Sequence, residues 1–198
     1  MQKKNNLSVK NKPIRVAVDA MGGDFAPYEI IKGALEALPS DSLEIILVGR
    51  TEVIQEHMSH LNFNGSKPAI FEARQVIDYH EAPMRAIKEK KDSSIVEGMN
   101  LIKRGEADAF LSAGNTGAVM AAALLYLGKL NGIERPAIGT LYPTLKGTAL
   151  LLDIGANVDC RPSFLVQFAQ LGSTYTERVL GIKRPRVALL NNGEESHK

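Results

Sequence analysis

Four glycine-containing motifs in the sequence combine polar side chains with a backbone that a ligand can approach closely. They are D-A-M-G-G-D-F-A-P from Asp19, S-A-G-N-T-G-A from Ser112, D-I-G-A-N-V-D from Asp153 and N-N-G-E-E from Asn191. Glycine removes the side chain that would block a ligand, and Asn, Ser and Thr supply hydrogen-bonding groups. These residue types suit a turn, a metal site or a pocket for an anion.

The S-A-G-N-T-G-A motif is the most informative of the four. Gly114 and Gly117 open the backbone, Asn115 supplies an amide, and Thr116 supplies a hydroxyl that can cap a following helix. Free N–H groups at a helix start favour an anion such as phosphate. The alternative is a plain strand-to-helix turn with a capping residue. The sequence contains neither a P-loop motif nor a dinucleotide-binding fingerprint after the first predicted strand.

Four aspartates and the single cysteine raise other kinds of chemistry. Asp19, Asp24, Asp153 and Asp159 have the ligand type that Mg²⁺ prefers, but none has a partner at a recognised metal spacing. Turn and capping roles are favoured, so the sequence predicts no metal and no cofactor. Cys160 follows an aspartate and has no histidine partner in the pattern, which favours a structural thiol over a catalytic one.

A basic segment lies at residues 84–91. Arg85, Lys88, Lys90 and Lys91 lie in M-R-A-I-K-E-K-K, and two more cations follow in I-K-R-G. The common interpretation of such a run is a solvated helical face. The functional interpretation is a docking surface for an acidic partner, steered by charge.

Short apolar runs alternate with longer amphipathic segments along the chain. The runs are predicted to be strands at Ile14–Val18, Glu44–Val48, Ala69–Glu72, Ala109–Ser112, Ala137–Leu141, Ala149–Ile154 and Val187–Leu190. The segments between them are predicted to be helices at Tyr28–Leu38, Glu52–Leu61, Met84–Glu89, Ser94–Arg104, Thr116–Leu127 and Ser163–Leu180. This alternation indicates an α/β fold with a mostly parallel sheet between helices.

The loop Y-P-T-L-K-G-T is too short for a crossover helix, so the strands beside it are predicted to be antiparallel. Elsewhere, the glycine motifs follow strands. In an open α/β sheet, ligands bind beyond the carboxyl ends of the strands. The motifs are therefore expected to gather at one edge of the sheet.

Composition limits the function classes. The formal charge is +2 and the pI about 8.6, which does not favour nucleic-acid binding. A single cysteine excludes an internal disulfide and favours a cytoplasmic protein. No apolar run approaches the roughly 20 residues of a membrane-spanning helix. Residues 1–13 are basic and are predicted to form a flexible tail before one α/β domain over residues 14–198.

Taken together, the motifs resemble those of the PlsX-type phosphate acyltransferases of bacterial phospholipid synthesis. The resemblance rests on V-A-V-D-A-M-G-G-D-F-A-P, E-A-P-M-R-A-I-K-E-K-K-D-S-S-I, F-L-S-A-G-N-T-G-A, R-P-A-I-G-T, L-D-I-G-A-N-V-D and N-N-G-E-E, in the family's order. It extends from about Ile14 to the last residue. Members of that family continue well beyond N-N-G-E-E, so the resemblance implies a domain that is incomplete at its C-terminus.

The resemblance implies a reaction in which inorganic phosphate attacks the thioester of a fatty acyl-[acyl carrier protein]. The products are acyl phosphate and free carrier protein. It also implies an α/β/α sandwich similar to phosphotransacetylases and isopropylmalate-type dehydrogenases, a homodimer, and peripheral association with the membrane or a membrane acyltransferase. The alternatives are a phosphate acetyl- or butyryltransferase using acyl-CoA, a dehydrogenase of the related fold, and a non-catalytic remnant that only binds.

The resemblance also assigns roles to residues. Asn115, Thr116 and Lys198 are predicted to be catalytic, with Arg135 and Arg161 as the next candidates for a cation beside phosphate. Substrate contacts are predicted for Asp19, Gly22, Gly23, Asp24, Gly114, Gly117, Asp153 and Asn157. Because acyl carrier proteins are acidic, Arg85, Lys88, Lys90 and Lys91 are predicted to form their docking face.

Overall fold

The computed structural model describes residues 12–38, 42–61, 63, 65–155, 157 and 159–190. The chain divides into two compact units, Met1–Gly128 and Lys129–Lys198. The predicted tail over residues 1–13 lies almost wholly outside the described residues, and the predicted single domain over residues 14–198 stays a prediction.

The first unit alternates strands and helices. Its strands are β1 Ile14–Asp19, β2 Leu43–Gly49, β3 Ala69–Glu72 and β4 Ala109–Leu111. Its helices are α1 Tyr28–Ala37, α2 Thr51–His60, α3 Pro83–Glu89, α4 Ser94–Lys103 and α5 Thr116–Ala122, and α5 continues as a π-helical segment, Ala123–Leu127. The predicted elements in this unit are confirmed to within a few residues.

The four strands form one parallel sheet in the order β3-β2-β1-β4. Side chains along each strand alternate between its two faces. Ile45 and Leu47 of β2 pack in the cluster that contains the apolar residues of α1 and α2. Val48 packs on the opposite face with Leu101 of α4 and Ala17 of β1. Helices therefore cover both faces of this sheet, as the nearly continuous apolar strands predict.

The second unit contains an antiparallel pair, β5 Gly139–Thr144 and β6 Gly147–Leu152, followed by the helix α6 Pro162–Arg178. The antiparallel pairing is confirmed. It forms a separate two-stranded sheet. Phe164 and Phe168 of α6 are buried, whereas Leu141, Tyr142 and Leu145 of the hairpin are exposed.

The predicted strand Val187–Leu190 is wrong, because these residues have no regular secondary structure. A strand is defined by hydrogen bonds to a neighbouring strand. No strand in the described part of the chain pairs with this segment, and Val187, Leu189 and Leu190 are exposed. Apolar composition alone was therefore misleading here.

Across the described residues, no helix combines the length and apolar character needed to cross a membrane.

Candidate active site

Strand order places two of the glycine motifs side by side. After β1 the chain adds β2 and β3 on one side, and then returns to place β4 on the other side of β1. Such a reversal opens a crevice beyond the carboxyl ends of the two strands that flank it. D-A-M-G-G-D begins at the end of β1, and S-A-G-N-T-G begins just after β4. The two loops therefore meet at the position where open α/β sheets bind ligands.

Asp19 joins the two loops through its carboxylate. One oxygen, Oδ2, accepts a hydrogen bond of 2.7 Å from the hydroxyl of Ser112, and the other accepts one of 3.1 Å from the N–H of Met21. The Ser112 oxygen in turn accepts from the N–H of Gly114 at 3.1 Å. Asp19 is 1% exposed. Its carboxylate is therefore bonded to protein groups inside the fold, where it holds both loops in place.

Gly22 and Gly114 lie against each other through their backbones. A methyl group added at Gly22 would lie 3.0 Å from the Cα of Gly114 and would overlap the carboxylate of Asp19. At Gly23 the backbone has φ +124°, a value that favours glycine. Asp24, the next residue, is exposed. The paired glycines therefore have a packing role, because they let the two loops approach closely.

The side chain of Asn115 is buried and bonded entirely to the protein. Its oxygen accepts from the N–H of Ala118 at 2.9 Å and caps α5. Its Nδ2 group lies within 3.1 or 3.2 Å of the carbonyl oxygens of Asp78, Tyr79 and Glu81. In this geometry the amide fixes the start of α5 against the turn before α3.

Thr116 and Gly117 form the exposed first turn of α5. The first N–H groups of any helix lack intrahelical acceptors, and they carry partial positive charge. Gly117 also packs against Pro83, whose Cγ would lie 2.6 Å from an added methyl group. The loop thus has exposed backbone donors for an anion, while its Asn115 side chain is bonded to protein groups.

In the second unit, Asp153 and Asn157 of the D-I-G-A-N motif bond to each other. Asp153 has a positive φ of 63°, and its Oδ1 accepts from both the backbone and the side-chain nitrogen of Asn157, at 3.1 and 3.0 Å. The Asn157 amide also donates to the carbonyl of Pro136 at 3.0 Å. The structure therefore brings the predicted residues Asp153 and Asn157 together as partners of each other.

Cys160 donates its S–H to the other oxygen of Asp153 at 3.2 Å. Burial and then the hydrogen bond to Asp153 raise the pKa of the Cys160 thiol above its ordinary value. A reactive cysteine needs the opposite shift, because the thiolate is the nucleophile. The geometry agrees with a structural thiol. In the described part of the chain, no group of three or more His, Cys, Asp or Glu side chains could hold a metal ion.

The second unit also contains an open cavity of about 570 Å³. Its lining consists of Lys129, Glu134, Arg135, Asp159, Cys160, Arg161 and Phe164. The guanidinium of Arg161 lies 5.9 Å from the centre of the Phe164 ring. Arg135 and Arg161, the two further candidates for a phosphate cation, thus line one cavity.

The four predicted docking cations differ in their surroundings. Arg85 is exposed and paired with Glu89 at 2.8 Å along α3. Lys88 and Lys91 are exposed, and among the described residues neither has an ion pair. Lys90 is half-buried and pairs with Glu81. Lys198 and the N-N-G-E-E motif lie outside the described residues.

Three residues at this site were not singled out from the sequence. Ser112 bridges the two loops, Pro83 packs on Gly117, and Glu81 supplies a carbonyl to Asn115. The first is the opening residue of the S-A-G-N-T-G motif, and the other two belong to E-A-P. Their position within these motifs was the one sequence feature that could have pointed to them. Their partners could not be predicted, because they lie far away in the sequence.

Comparison with known proteins gives the family. A sequence model of the family described as fatty acid synthesis protein matches residues 14–198. The chain belongs to this family. A phosphate acyltransferase of Dictyoglomus turgidum is 51% identical over 93% of this chain, and one of Desulfitobacterium hafniense strain Y51 is 54% identical over 93%. These matches confirm the resemblance to PlsX-type enzymes.

The matches also show how much of the relatives this member of the fatty acid synthesis protein family covers. The chain spans about half of the curated relatives it matches, 55% of each of the two just named. Among solved structures, a phosphotransacetylase from Streptococcus pyogenes is similar over 87% of this chain and 56% of its own, with TM-score 0.66 and 19% identity. EutD phosphotransacetylase from Staphylococcus aureus has TM-score 0.62 and 17% identity, over 86% of this chain and 54% of its own. These structures confirm the α/β fold with a mostly parallel sheet.

Proposed function

We propose that the protein transfers a fatty acyl group from acyl carrier protein to inorganic phosphate, giving acyl phosphate for phospholipid synthesis. The observation that carries the proposal is the 51–54% identity to relatives named phosphate acyltransferase, across 93% of this chain. The meeting of two glycine loops at the strand-order reversal supports it. The chain spans about half the length of these relatives. The proposal therefore concerns the activity of the whole protein.

In the proposed reaction, phosphate is the nucleophile and no covalent enzyme intermediate is needed. A phosphate oxygen bonds to the thioester carbon, and the carbonyl oxygen takes up negative charge in a tetrahedral intermediate. Collapse of this intermediate breaks the carbon–sulfur bond, and the carrier protein's thiolate leaves and takes a proton. Fixed donors that hold the dianion beside the carbonyl and stabilise the oxyanion account for rate enhancement.

The glycine loops are the proposed source of those donors. The N–H groups of Thr116 and Gly117 at the start of α5 suit a phosphate or an oxyanion, since they are preorganised and exposed. Asp19 acts on Ser112 and the loop backbone rather than on substrate, because both its oxygens accept hydrogen bonds from protein groups. Gly22, Gly23, Gly114 and Asp24 form the adjoining wall of the cleft.

The remaining catalytic and substrate roles follow from the family resemblance. Asn115 holds the loop at residues 112–117, here called the donor loop, in place, because its amide is bonded to backbone groups. Lys198 is proposed to offset the charge of phosphate. Asp153 and Asn157 are proposed to shape the substrate-binding turn in the second unit, where they bond to each other.

The proposed docking face for the acidic carrier protein consists of Lys88 and Lys91, with Arg85 beside them. The two exposed lysines lack ion pairs among the described residues, so their charge is available to a partner. Lys88→Glu with Lys91→Glu should raise the KM for acyl carrier protein and weaken its dependence on salt. An unchanged KM and salt dependence would remove this face from the proposal.

We further propose a homodimer in the cytoplasm that associates peripherally with the membrane or with a membrane acyltransferase. The family resemblance supports both proposals, and the single cysteine supports the cytoplasm. Vesicle flotation and light scattering test them separately from activity.

The decisive experiment is loss of the thioester from acyl-[acyl carrier protein], followed with and without inorganic phosphate. Phosphate-dependent loss with formation of acyl phosphate is the expected result. Turnover of acyl-CoA in place of acyl-carrier protein would instead indicate a phosphotransacylase. If the protein binds carrier protein but turns over neither acyl-[acyl carrier protein] nor acyl-CoA, the result would contradict catalysis and favour a binding role. A full-length relative, assayed in parallel, controls for the substrates.

A further inference from the structure

Lys90 is directed into the protein, unlike the cations beside it. Its ammonium donates to the carboxylate of Glu81 at 2.5 Å and to the carbonyl of Val76 at 2.7 Å. Its side chain is 31% exposed, whereas that of Arg85 on the preceding helix α3 is 77% exposed. An ammonium has three donors, and two of them are bonded within the protein. Lys90 is thus poorly placed to meet a docking partner.

The carboxylate that Lys90 holds closes the turn before α3. Glu81 Oε1 accepts from the N–H of Asp78 at 2.6 Å, and the carboxylate of Asp78 accepts from the N–H of His80 at 3.0 Å. The hydrogen bond from Lys90 is the largest cause of a lowered pKa for Glu81, followed by the one from Asp78. Both hydrogen bonds favour the ionised carboxylate, which is the form that accepts them.

This turn and the donor loop share two contacts. The carbonyl oxygens of Asp78, Tyr79 and Glu81 all accept from the one Asn115 amide. Pro83, at the start of α3, packs on Gly117. Asn115 converges on these carbonyls only while the turn keeps its shape. The cap that Asn115 places on α5 therefore depends on groups that Lys90 holds from the other side.

We propose that Lys90 is a positioning residue, which acts through Glu81 and the turn at residues 78–81 to hold the donor loop of the site. The inference rests on the proposed function, because it gives Lys90 a supporting role behind the proposed phosphate site and removes it from carrier-protein docking. Preorganised donors lose effect when their supporting residues loosen, even though the donors themselves remain present. Lys90 touches neither phosphate nor thioester in this role.

Amide hydrogen exchange tests the structural part without any substrate. The variant is Lys90→Met, which keeps an unbranched side chain one atom shorter and removes its donors. Lys88→Met, two residues earlier in the last turn of α3, is the matched control. We expect the amides of Asp78, His80 and Ala118 to exchange about tenfold faster in Lys90→Met, as expected for the loss of a charged hydrogen bond. Lys88→Met should leave them unchanged. Unchanged exchange at Ala118 in Lys90→Met would overturn the proposed link to α5.

Kinetics then separate positioning from docking. Lys90→Met should raise the KM for phosphate or lower kcat, and it should keep the wild-type KM for carrier protein and its salt dependence. Lys88→Met should show the reverse pattern. If Lys90→Met instead raises the carrier-protein KM in a salt-dependent way, Lys90 is a docking residue and the proposal is wrong. Should Lys90→Met fail to fold, Glu81→Gln offers a milder variant with the same expected split between substrates.

The two measurements fail independently. If the wild-type protein consumes no phosphate, the proposed function fails, while faster exchange at Ala118 still supports the link from Lys90 to α5. If the wild-type protein is active but Lys90→Met retains full activity with wild-type exchange, the inference about Lys90 fails and the proposed function stands.

Discussion

In the first unit two polar side chains of the candidate site, Asp19 and Asn115, are buried and bonded to protein groups, whereas in the second unit two arginines line an open cavity. Asp19 and Asn115 are 1% and 6% exposed and bond to protein groups. Arg135 and Arg161 are exposed, and the contact of Arg161 with Phe164 is a stacking one.

This difference separates two ways of preparing for an anion. Buried, bonded groups fix a backbone whose donors need no rearrangement when a ligand arrives. Exposed cations attract an anion over a longer range, but they are screened by salt and must become ordered on binding. We therefore expect substitutions in the first unit to affect stability and function together, and those around the cavity to leave stability almost unchanged.

The largest effect is expected where the two glycine loops touch. Gly22→Ala should lower the free energy of unfolding by about 1–3 kcal/mol, since the added methyl group overlaps Asp19 and the backbone of Gly114. The matched control is Gly33→Ala in α1, where no atom lies within 4 Å of the added group. The control should gain about 0.5–1 kcal/mol through helix propensity. Urea unfolding of both variants measures the difference, and equal stabilities would contradict the packing role.

A matched pair of asparagines compares the two units directly. Asn115→Ala removes a helix cap and the amide that donates to three backbone carbonyls, which should cost about 1–2 kcal/mol. Asn157→Ala removes bonds to Asp153 and Pro136 in a half-buried turn and should cost about 1 kcal/mol. Thermal unfolding gives both values. A larger loss for Asn157→Ala would reverse the contrast between the units.

The sequence predicted those parts of the site that depend on local pattern. Apolar runs ending in glycine and polar residues identified the ends of β1 and β4, and Asn115 at the start of a helix was recognisable as a capping residue. The three carbonyls that receive its amide lie 34 to 37 residues earlier, and no local pattern encodes such a distance. Ser112 was missed for the same reason, since its partner is in another loop.

Lys90 and Val187–Leu190 show the limits of composition. Lys90 lies in a run of cations that are predicted to be solvated, and only the position of Glu81 and Val76 in the folded turn directs it inward. Val187–Leu190 has the composition of a strand, but strand formation depends on a neighbour that composition does not provide. For Lys90 the deciding partners lie in the preceding turn. For Val187–Leu190 no strand in the described part of the chain acts as a partner.

A smaller effect is expected at the cavity. Arg161→Gln should change the free energy of unfolding by less than about 1 kcal/mol, because an exposed guanidinium over an aromatic ring contributes no more than that. Its melting temperature should therefore stay close to that of the wild type. A loss as large as that of Asn115→Ala would show that the cavity wall is built as firmly as the glycine loops.

The smallest effect is expected on the stability of the protein at low pH, through the ion pair of Arg15 with Asp108. The guanidinium of Arg15 holds the pKa of Asp108 at about 2, below its ordinary value of 3.8. The stabilising contribution is therefore present above about pH 4 and is lost as the pH falls through the folded value near 2. Asp108→Asn should flatten the fall of the melting temperature over this range, and so should Arg15→Gln. An unchanged slope in both variants would show that this exposed pair does not couple folding to pH.

The hydrogen bond between Ser112 and Asp19 joins residues that are 93 positions apart. Ribosomes add roughly 5–20 residues per second, so the second residue of this pair is made about 5–20 s after the first. During that interval β1 can already pair with β2, but the carboxylate at its end has not yet met its serine. The cleft between the glycine loops is thus among the last features of the first unit that the growing chain can complete.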